Sequence, residues 1–263
     1  MKRLHLTGSS AAVLLCALLA GAQEGHHSAT VGIFGAGAGE PQKSATASRA
    51  QSGSSLSLTF GTIDFPRAPD SEALGINETG RVILGGYGPD LVPDNAANHG
   101  FLLRGNSFRR IDFPGATHTV AVDINRTGQI IGVYSLTEPP HEYHGFELVG
   151  NIFTSIDFPG ALTTEPIGIN DSGEIVGLYF DGTTDHGFSL VGATYTTIDV
   201  PGAALTICYS VNTAGEIVGQ YADASGFSHG FLLQNGNFTT IDFPGASDTW
   251  LLGINDKGQM VGA

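Results

Sequence analysis

The chain has 263 residues, 41% of them hydrophobic, with 38 Gly and a formal net charge of −14 at pH 7. This is a globular composition, long enough for one substantial core. The excess of acid repels phosphate backbones and anionic lipid surfaces, which excludes nucleic-acid binding and membrane-surface binding as main roles.

The first stretch reads as a leader. Lys2 and Arg3 precede an apolar run from Ala11 to Ala20, and Ala20-Gly21-Ala22 has the small-residue form of a cleavage site. Together these predict a secretory signal over residues 1–22 and a mature start at Gln23. The apolar run of ten residues is too short to span a bilayer, so no membrane insertion is expected after cleavage. Loss of Lys2 and Arg3 leaves nine basic against 25 acidic residues. Cys16 lies within the leader, where Leu14-Leu15 is a poor match to the small residues of a lipoprotein signal. The mature chain then keeps only Cys208, which excludes an internal disulfide; its place in a predicted strand favours a small buried apolar residue.

Residues 23–55 are dominated by Gly, Ala, Ser, Thr and Gln. Such a segment buries too little apolar surface to offset its ordering entropy, and a disordered linker is expected. The alternating glycines from Gly35 to Gly39 lack the Lys-Ser/Thr of a phosphate-binding loop.

A repeat then takes over and defines one domain over residues 56–263. IDFPGA begins at Ile111, Ile156 and Ile241, with IDVPGA at Ile198 and IDFPRA at Ile63. An Asn follows each anchor Ile by 14 residues (Asn77, Asn125, Asn170, Asn212, Asn255), and a Gly stands three beyond each Asn. His-Gly-Phe lies 12 residues before the next anchor, at His99, His144, His186 and His229. Only the stretch between Asn and His varies, over 22, 19, 16 and 17 residues, so one loop per unit absorbs all the length change.

Each unit reads as four short strands. In the third unit the first strand ends in Gly168-Ile169-Asn170, and the Asn170 to Gly173 turn reverses it, since Asx opens such turns and Gly accepts positive φ. The second strand is residues 174–179, and the third follows the variable loop at residues 186–190. A short turn leads to the fourth, best marked by Asn235-Gly236 before residues 238–243. Pro-Gly ends that strand and begins the crossing to the next unit.

Four strands in about 45 residues is the size of a β-propeller blade. The expected fold is all-β: four complete four-stranded blades over residues 71–113, 118–158, 163–200 and 206–243. A composite, incomplete fifth blade would be closed by the two chain ends, residues 56–65 supplying a fourth strand and residues 249–263 a first and second. That blade would lack a His-Gly-Phe strand, consistent with a shortened member of a longer family. A β-solenoid fits less well, because its rungs are usually shorter and lack two tight hairpins per unit.

The units, with His-Gly-Phe and IDFPGA at fixed spacing behind a secretory leader, resemble the extracellular repeats called the HAF family. The resemblance covers roughly residues 59–263 and departs in one letter, Gly standing where the family name has Ala. It implies a secreted or periplasmic bacterial protein and brings no established enzyme activity or catalytic residue.

The recurring His99, His144, His186 and His229, with Asp64, Asp112, Asp157, Asp199 and Asp242, invite a metal or acid–base reading. Their presence in every unit favours instead a structural polar network, since a catalytic constellation is normally asymmetric. No metal, cofactor or catalytic residue is assigned. Binding is sought where the copies differ. The variable loops and the Pro-Gly crossings are expected on one face, and loops on a rigid scaffold are the usual carriers of recognition. The most distinctive loop holds Glu138, His141, Glu142 and Tyr143. Nine residues after the anchor, in the strand expected to be innermost, stand Glu72, Glu165 and Trp250. These carboxylates suggest a channel, and the indole a sugar-stacking surface. The reading is a secreted noncatalytic scaffold that binds an extracellular protein or glycan. The alternative is a glycoside hydrolase or lyase with Glu72, Glu165 and His141 as its candidates, which for hydrolysis requires carboxylates about 5–9.5 Å apart.

Overall fold

The computed structural model describes residues 32–35, 63–68, 70–77, 82–88, 98–137 and 142–263, the first four and Asp70 by backbone alone. The expected signal peptide, most of the expected linker, residues 56–62, Glu138 and His141 lie outside these described residues.

Every regular element among the described residues is a strand. The first, β1 (Gly32–Gly35), falls inside the stretch expected as linker. The first unit forms β2 (Asp70–Ile76), β3 (Val82–Gly88), β4 (His99–Arg104) and β5 (Ser107–Ile111). The second forms β6 (His118–Ile124), β7 (Ile130–Ser135), β8 (His144–Val149) and β9 (Ile152–Ile156). The third forms β10 (Thr163–Ile169), β11 (Ile175–Phe180), β12 (Asp185–Val191) and β13 (Thr194–Ile198). The fourth forms β14 (Leu205–Val211), β15 (Ile217–Ala222), β16 (Ser228–Gln234) and β17 (Asn237–Ile241). Each is a four-stranded antiparallel sheet in sequence order. The last strands, β18 (Leu251–Ile254) and β19 (Gln259–Gly262), form a three-stranded sheet with β1.

This fifth sheet differs from the expected one. Gly32 pairs Gly262, as Phe188 pairs Gly177 in the third sheet, so β1 takes the slot of the His-Gly-Phe strand. The expected fourth strand there is not seen in its described part, because Ile63 to Phe65 have no strand pairing. For Asp64 and Phe65 the reason is local: in every complete unit the strand stops at the anchor Ile, and Asp-Phe already belongs to the crossing.

That crossing is a turn of one form. Phe113 O accepts from Ala116 N–H at 3.1 Å, with Pro114 second and Gly115 third at φ +82°. Proline before a positive-φ glycine is the type II arrangement. The hydroxyl six residues after the Phe locks it: Thr119 Oγ1 accepts from Phe113 N–H at 3.1 Å, and Thr164 Oγ1 from Phe158 N–H at 2.9 Å.

Consecutive sheets pack face to face through one repeated contact. Leu84 of β3 lies with Ile124 of β6, Ile131 of β7 with Ile169 of β10, and Val176 of β11 with Val211 of β14. Leu84, Ile131, Val176 and Val218 are all 0% exposed. The matching residue of the fifth sheet, Val261, is 43% exposed, and Ile76 of the first sheet is 59% exposed. A Cβ on Gly75 or Gly168 would meet the next sheet's backbone at 2.7 Å, whereas one on Gly253 would meet only Val261 of its own sheet. The sheet-to-sheet contact is therefore not repeated in kind between the fifth sheet and the first among the described residues. The arrangement is propeller-like, with the first strand of each sheet innermost.

An asparagine ladder joins those first strands. Asn125 Nδ2 donates to Asn170 O at 3.0 Å, Asn170 Nδ2 to Asn212 O at 2.9 Å, and Asn212 Nδ2 to Asn255 O at 3.3 Å. The same side chains hold their own turns: Asn170 Oδ1 accepts from Ser172 N–H at 3.0 Å and Glu174 N–H at 2.9 Å. One residue thus sets both the reversal within a sheet and the step to the next.

Candidate functional site

The variable loops and the crossings meet on one face. Leu162 N–H of a crossing donates to Phe180 O at 2.8 Å, and Ala204 N–H to Ala222 O at 2.8 Å. Thr184 Oγ1 reaches Ala204 O at 2.7 Å. Neighbouring sheets are stitched here as well, Thr164 N–H donating to Tyr143 O and Thr249 N–H to Ser228 O, both at 2.9 Å. A rigid floor therefore underlies loops of unequal length.

Each complete sheet builds the same polar column beneath this face. His186, the second residue of β12, pairs across the strands with Tyr179 of β11, and their rings stack at 5.0 Å between centroids. Phe158 from the preceding crossing stacks on the other side of Tyr179 at 3.7 Å. His186 Nδ1 meets Asp199 Oδ2 at 2.9 Å. The matching pairs are His99 with Asp112 at 2.9 Å, His144 with Asp157 at 2.7 Å, and His229 with Asp242 at 2.9 Å. Asp64 is exposed. In the first sheet Arg110 joins Asp112 and places a guanidinium nitrogen 2.8 Å from His99 Nδ1. Among the described residues no group of three or more His, Cys, Asp or Glu is arranged to hold a metal ion.

The third and fourth sheets add a second carboxylate. Asp181 Oδ2 lies 3.4 Å from His186 Nε2, and Asp223 Oδ2 lies 3.6 Å from His229 Nε2. Both aspartates also shape their loops, Asp181 Oδ1 accepting from Thr183 N–H at 2.7 Å and Thr184 N–H at 3.0 Å. Those loop hydrogen bonds hold the Asp181 carboxyl below its ordinary range. Between the third and fourth sheets a cavity of about 200 Å³ is lined by Thr184, Asp185, His186, Pro201, Gly202 and Thr206, among others. Burial pushes the Asp185 carboxyl up to about 6, the His186 ring opposing and Asp181 adding to the shift. No Lys or Arg occurs between Thr127 and Asp256, so the carboxylates in this part of the face have no Lys or Arg of that stretch beside them. Three large apolar side chains stand out of it: Leu136, Leu162 and Phe227, each at least half exposed. They were not singled out from the sequence, where an apolar residue in a loop is ordinary.

The residues picked from the sequence are dispersed. Glu142 is exposed and Tyr143 half-buried beside the second sheet's crossing; Glu138 and His141 lie outside the described residues. Glu165, on β10, is 0% exposed, so its carboxylate meets no solvent. Glu72 is half-buried on β2, with β6 between it and β10. Trp250 is half-buried, its backbone paired with Ala263 and its indole N–H buried without an acceptor among the described residues. Cys208 is fully buried, and burial holds its thiol far above the ordinary range.

The opposite face carries a second concavity. The ends of the five first strands line a cavity of about 430 Å³ that includes Ile76, Ile124, Ile169, Val211 and Ile254. Arg126, Asp171, Asp256 and Lys257 also line it, Arg126 Nε standing 3.2 Å from Asp171 Oδ2. Asp123 sits below with its carboxyl pushed up by burial, against backbone hydrogen bonds from Ile169 and Ile124. The Asn ladder forms the wall of this cavity, a role the turn spacing alone did not reveal.

No protein-family model matches the chain, and no curated protein matches it. Among solved structures it is similar to the β-propeller domain of the Trilobed protease from Pyrococcus furiosus, with 12% identity and a TM-score of 0.49 over 68% of this chain. The chain spans 56% of that protein's length. It is also similar to Porphyromonas gingivalis dipeptidyl peptidase 4, with 10% identity and a TM-score of 0.44 over 68% of this chain and 33% of that one. A third is a polysaccharide lyase, an ulvan lyase, with 13% identity and a TM-score of 0.39 over 73% of this chain and 62% of that one.

Proposed function

We propose that this protein is a secreted, noncatalytic β-propeller scaffold that binds an extracellular protein or glycan through its variable-loop face. One observation carries the reading: Leu136, Leu162 and Phe227 stand exposed on a face whose backbone is tied down and whose loops alone differ between units. Apolar side chains presented by loops on a rigid scaffold are well placed for recognition. The repeated His–Asp pairs are surface clasps with both partners engaged in every complete unit, which suits support better than chemistry. The polysaccharide-enzyme alternative has less behind it. Glu165 is fully buried, and β6 lies between its strand β10 and the strand β2 that carries Glu72.

The test is binding of the full chain to glycan and peptide arrays, beside a variant carrying Leu136→Ser, Leu162→Ser and Phe227→Ser. All three side chains are exposed, so folding is expected to survive. Binding by the parent and its loss in the variant is the expected result. Equal binding by both would move the site elsewhere, and depolymerisation of a polysaccharide by the parent would restore the enzyme reading.

A further inference from the structure

Among the described residues, the imidazoles of the third and fourth sheets have a second carboxylate that those of the first two do not show. His186 has Asp199 at 2.9 Å from Nδ1 and Asp181 at 3.4 Å from Nε2. His229 has Asp242 at 2.9 Å from Nδ1 and Asp223 at 3.6 Å from Nε2. A neutral imidazole carries one N–H, so one of its nitrogens would turn a lone pair toward a carboxylate. Only the imidazolium donates on both sides. The second aspartate follows the strand-two tyrosine by two residues, where the first two units have Pro89 and Leu136.

We propose that Asp181–His186–Asp199 and Asp223–His229–Asp242 are pH-operated latches that tie two variable loops to the crossings beside them. Protonation at either imidazole joins the loop carboxylate to the crossing carboxylate through one cation. Loss of that proton leaves the crossing pair intact and frees the loop side. The groups facing His186 are Asp181 from the loop, Asp199 from the crossing, Asp185 at its own strand start and the Tyr179 ring on β11. Those facing His229 are Asp223, Asp242 and the Tyr221 ring, stacked at 5.1 Å. No Lys or Arg of residues 127–256 competes for these carboxylates.

The electrostatics agree in sign. Burial of the His186 ring works against its charge, but Asp199 and Asp181 outweigh it and raise its pKa. At His229 the Asp242 hydrogen bond leads and the net shift is again upward. A histidine raised on folding stabilises the fold fully below its unfolded value and loses that contribution as pH climbs through the folded value. The latches are thus closed in mild acid and open in mild alkali, which makes the proposed binding face more ordered in the acid state. The inference itself rests on the clasps and not on any ligand.

The test uses side-chain ¹⁵N shifts of His186 and His229 and backbone order parameters of residues 181–184 and 223–227, from pH 5 to 9, in the full chain and in Asp181→Asn. Asn keeps the loop-capping oxygen and puts an uncharged NH2 group where the second carboxylate oxygen faced Nε2. The expected result is a His186 midpoint lowered by at least about 0.5 pH unit in the variant, with His229 unmoved as an internal control. Residues 181–184 of the parent should lose order as pH rises through the measured His186 midpoint, and those of the variant should show no such change. An unchanged His186 midpoint, or loop order independent of pH in the parent, would overturn the proposal. Should Asp181→Asn fold poorly, Asp223→Asn read at His229 makes the same test with the roles exchanged.

Discussion

Asn170 donates from Nδ2 to the carbonyl oxygen of Asn212, 2.9 Å away and 42 residues along the chain. Its other amide atom accepts two turn N–H groups at the same time. Truncating it therefore removes a sheet-to-sheet bond and a turn together. Asn170→Ala should cost about 2–3 kcal/mol, since buried partners are left unmet. Asn255→Ala should cost about 1 kcal/mol or less, because Asn255 is exposed and its Nδ2 donates to Gln259 of its own turn. Urea unfolding of the two variants measures the difference.

The glycine of each second strand is required by approach rather than by φ. A Cβ on Gly177 would stand 2.0 Å from Glu165 O, and on Gly219 2.0 Å from Ile207 O. No rotamer relieves a backbone clash. Gly177→Ala should cost more than about 4 kcal/mol or prevent folding, at the extreme of single substitutions. Gly115→Ala, at φ +82° with open space around it, should cost only about 1–2 kcal/mol. Thermal melts followed by circular dichroism rank the pair.

Arg67 holds the turn position that glycine holds in the other four crossings, and it does so at φ 68°. A left-handed L-residue is strained where Gly is not. Arg67→Gly should therefore raise stability by up to about 1 kcal/mol, the gain being trimmed by the greater entropy of unfolded Gly. An unchanged or lowered melting temperature would mean that the Arg67 side chain contributes more than its backbone costs.

Asp185 gives a pH dependence distinct from the histidines. Its folded pKa of about 6 lies above the ordinary value of 3.8, burial being the main cause. The folded chain then keeps a proton that the unfolded chain releases between about pH 4 and 6. Stability should fall as pH rises through that window, below the range in which the histidines lose theirs. Asp185→Asn should remove the fall and stabilise the protein at pH 7 by about 1–2 kcal/mol after allowance for solvent screening. Denaturant midpoints at pH 4 and 7 report it.

Val176 and Val261 occupy one repeat position in opposite environments, the first 0% and the second 43% exposed. Val176→Ala should cost about 1–2 kcal/mol and Val261→Ala about 0.5 kcal/mol or less. A large cost at Val261 would show that the fifth and first sheets meet in solution as the others do.

The strand order and hairpins of the four complete units were legible because those units repeat, whereas β1 of the fifth sheet lies outside the repeat and was not. A constant distance from Ile to Asn to Gly, with length change confined to one gap, leaves only one set of strand limits. The His–Asp spacing was equally plain, since strands paired in fixed register carry fixed side-chain partners. Other features needed contacts between units. Asn170 reads in sequence as a turn former, and its bond to Asn212 exists only because two sheets are set side by side. Glu165 reads as a channel carboxylate by its place in the inner strand, yet packing leaves it no solvent. Asp181 reads as a loop residue, and only the fold of β11 onto β12 brings it to His186 Nε2. Periodicity thus determines what each strand is. Which side chains lose water, and which carboxylates meet which imidazoles, is decided by sheet-on-sheet packing, because burial and charge proximity depend on distances that sequence separation does not encode.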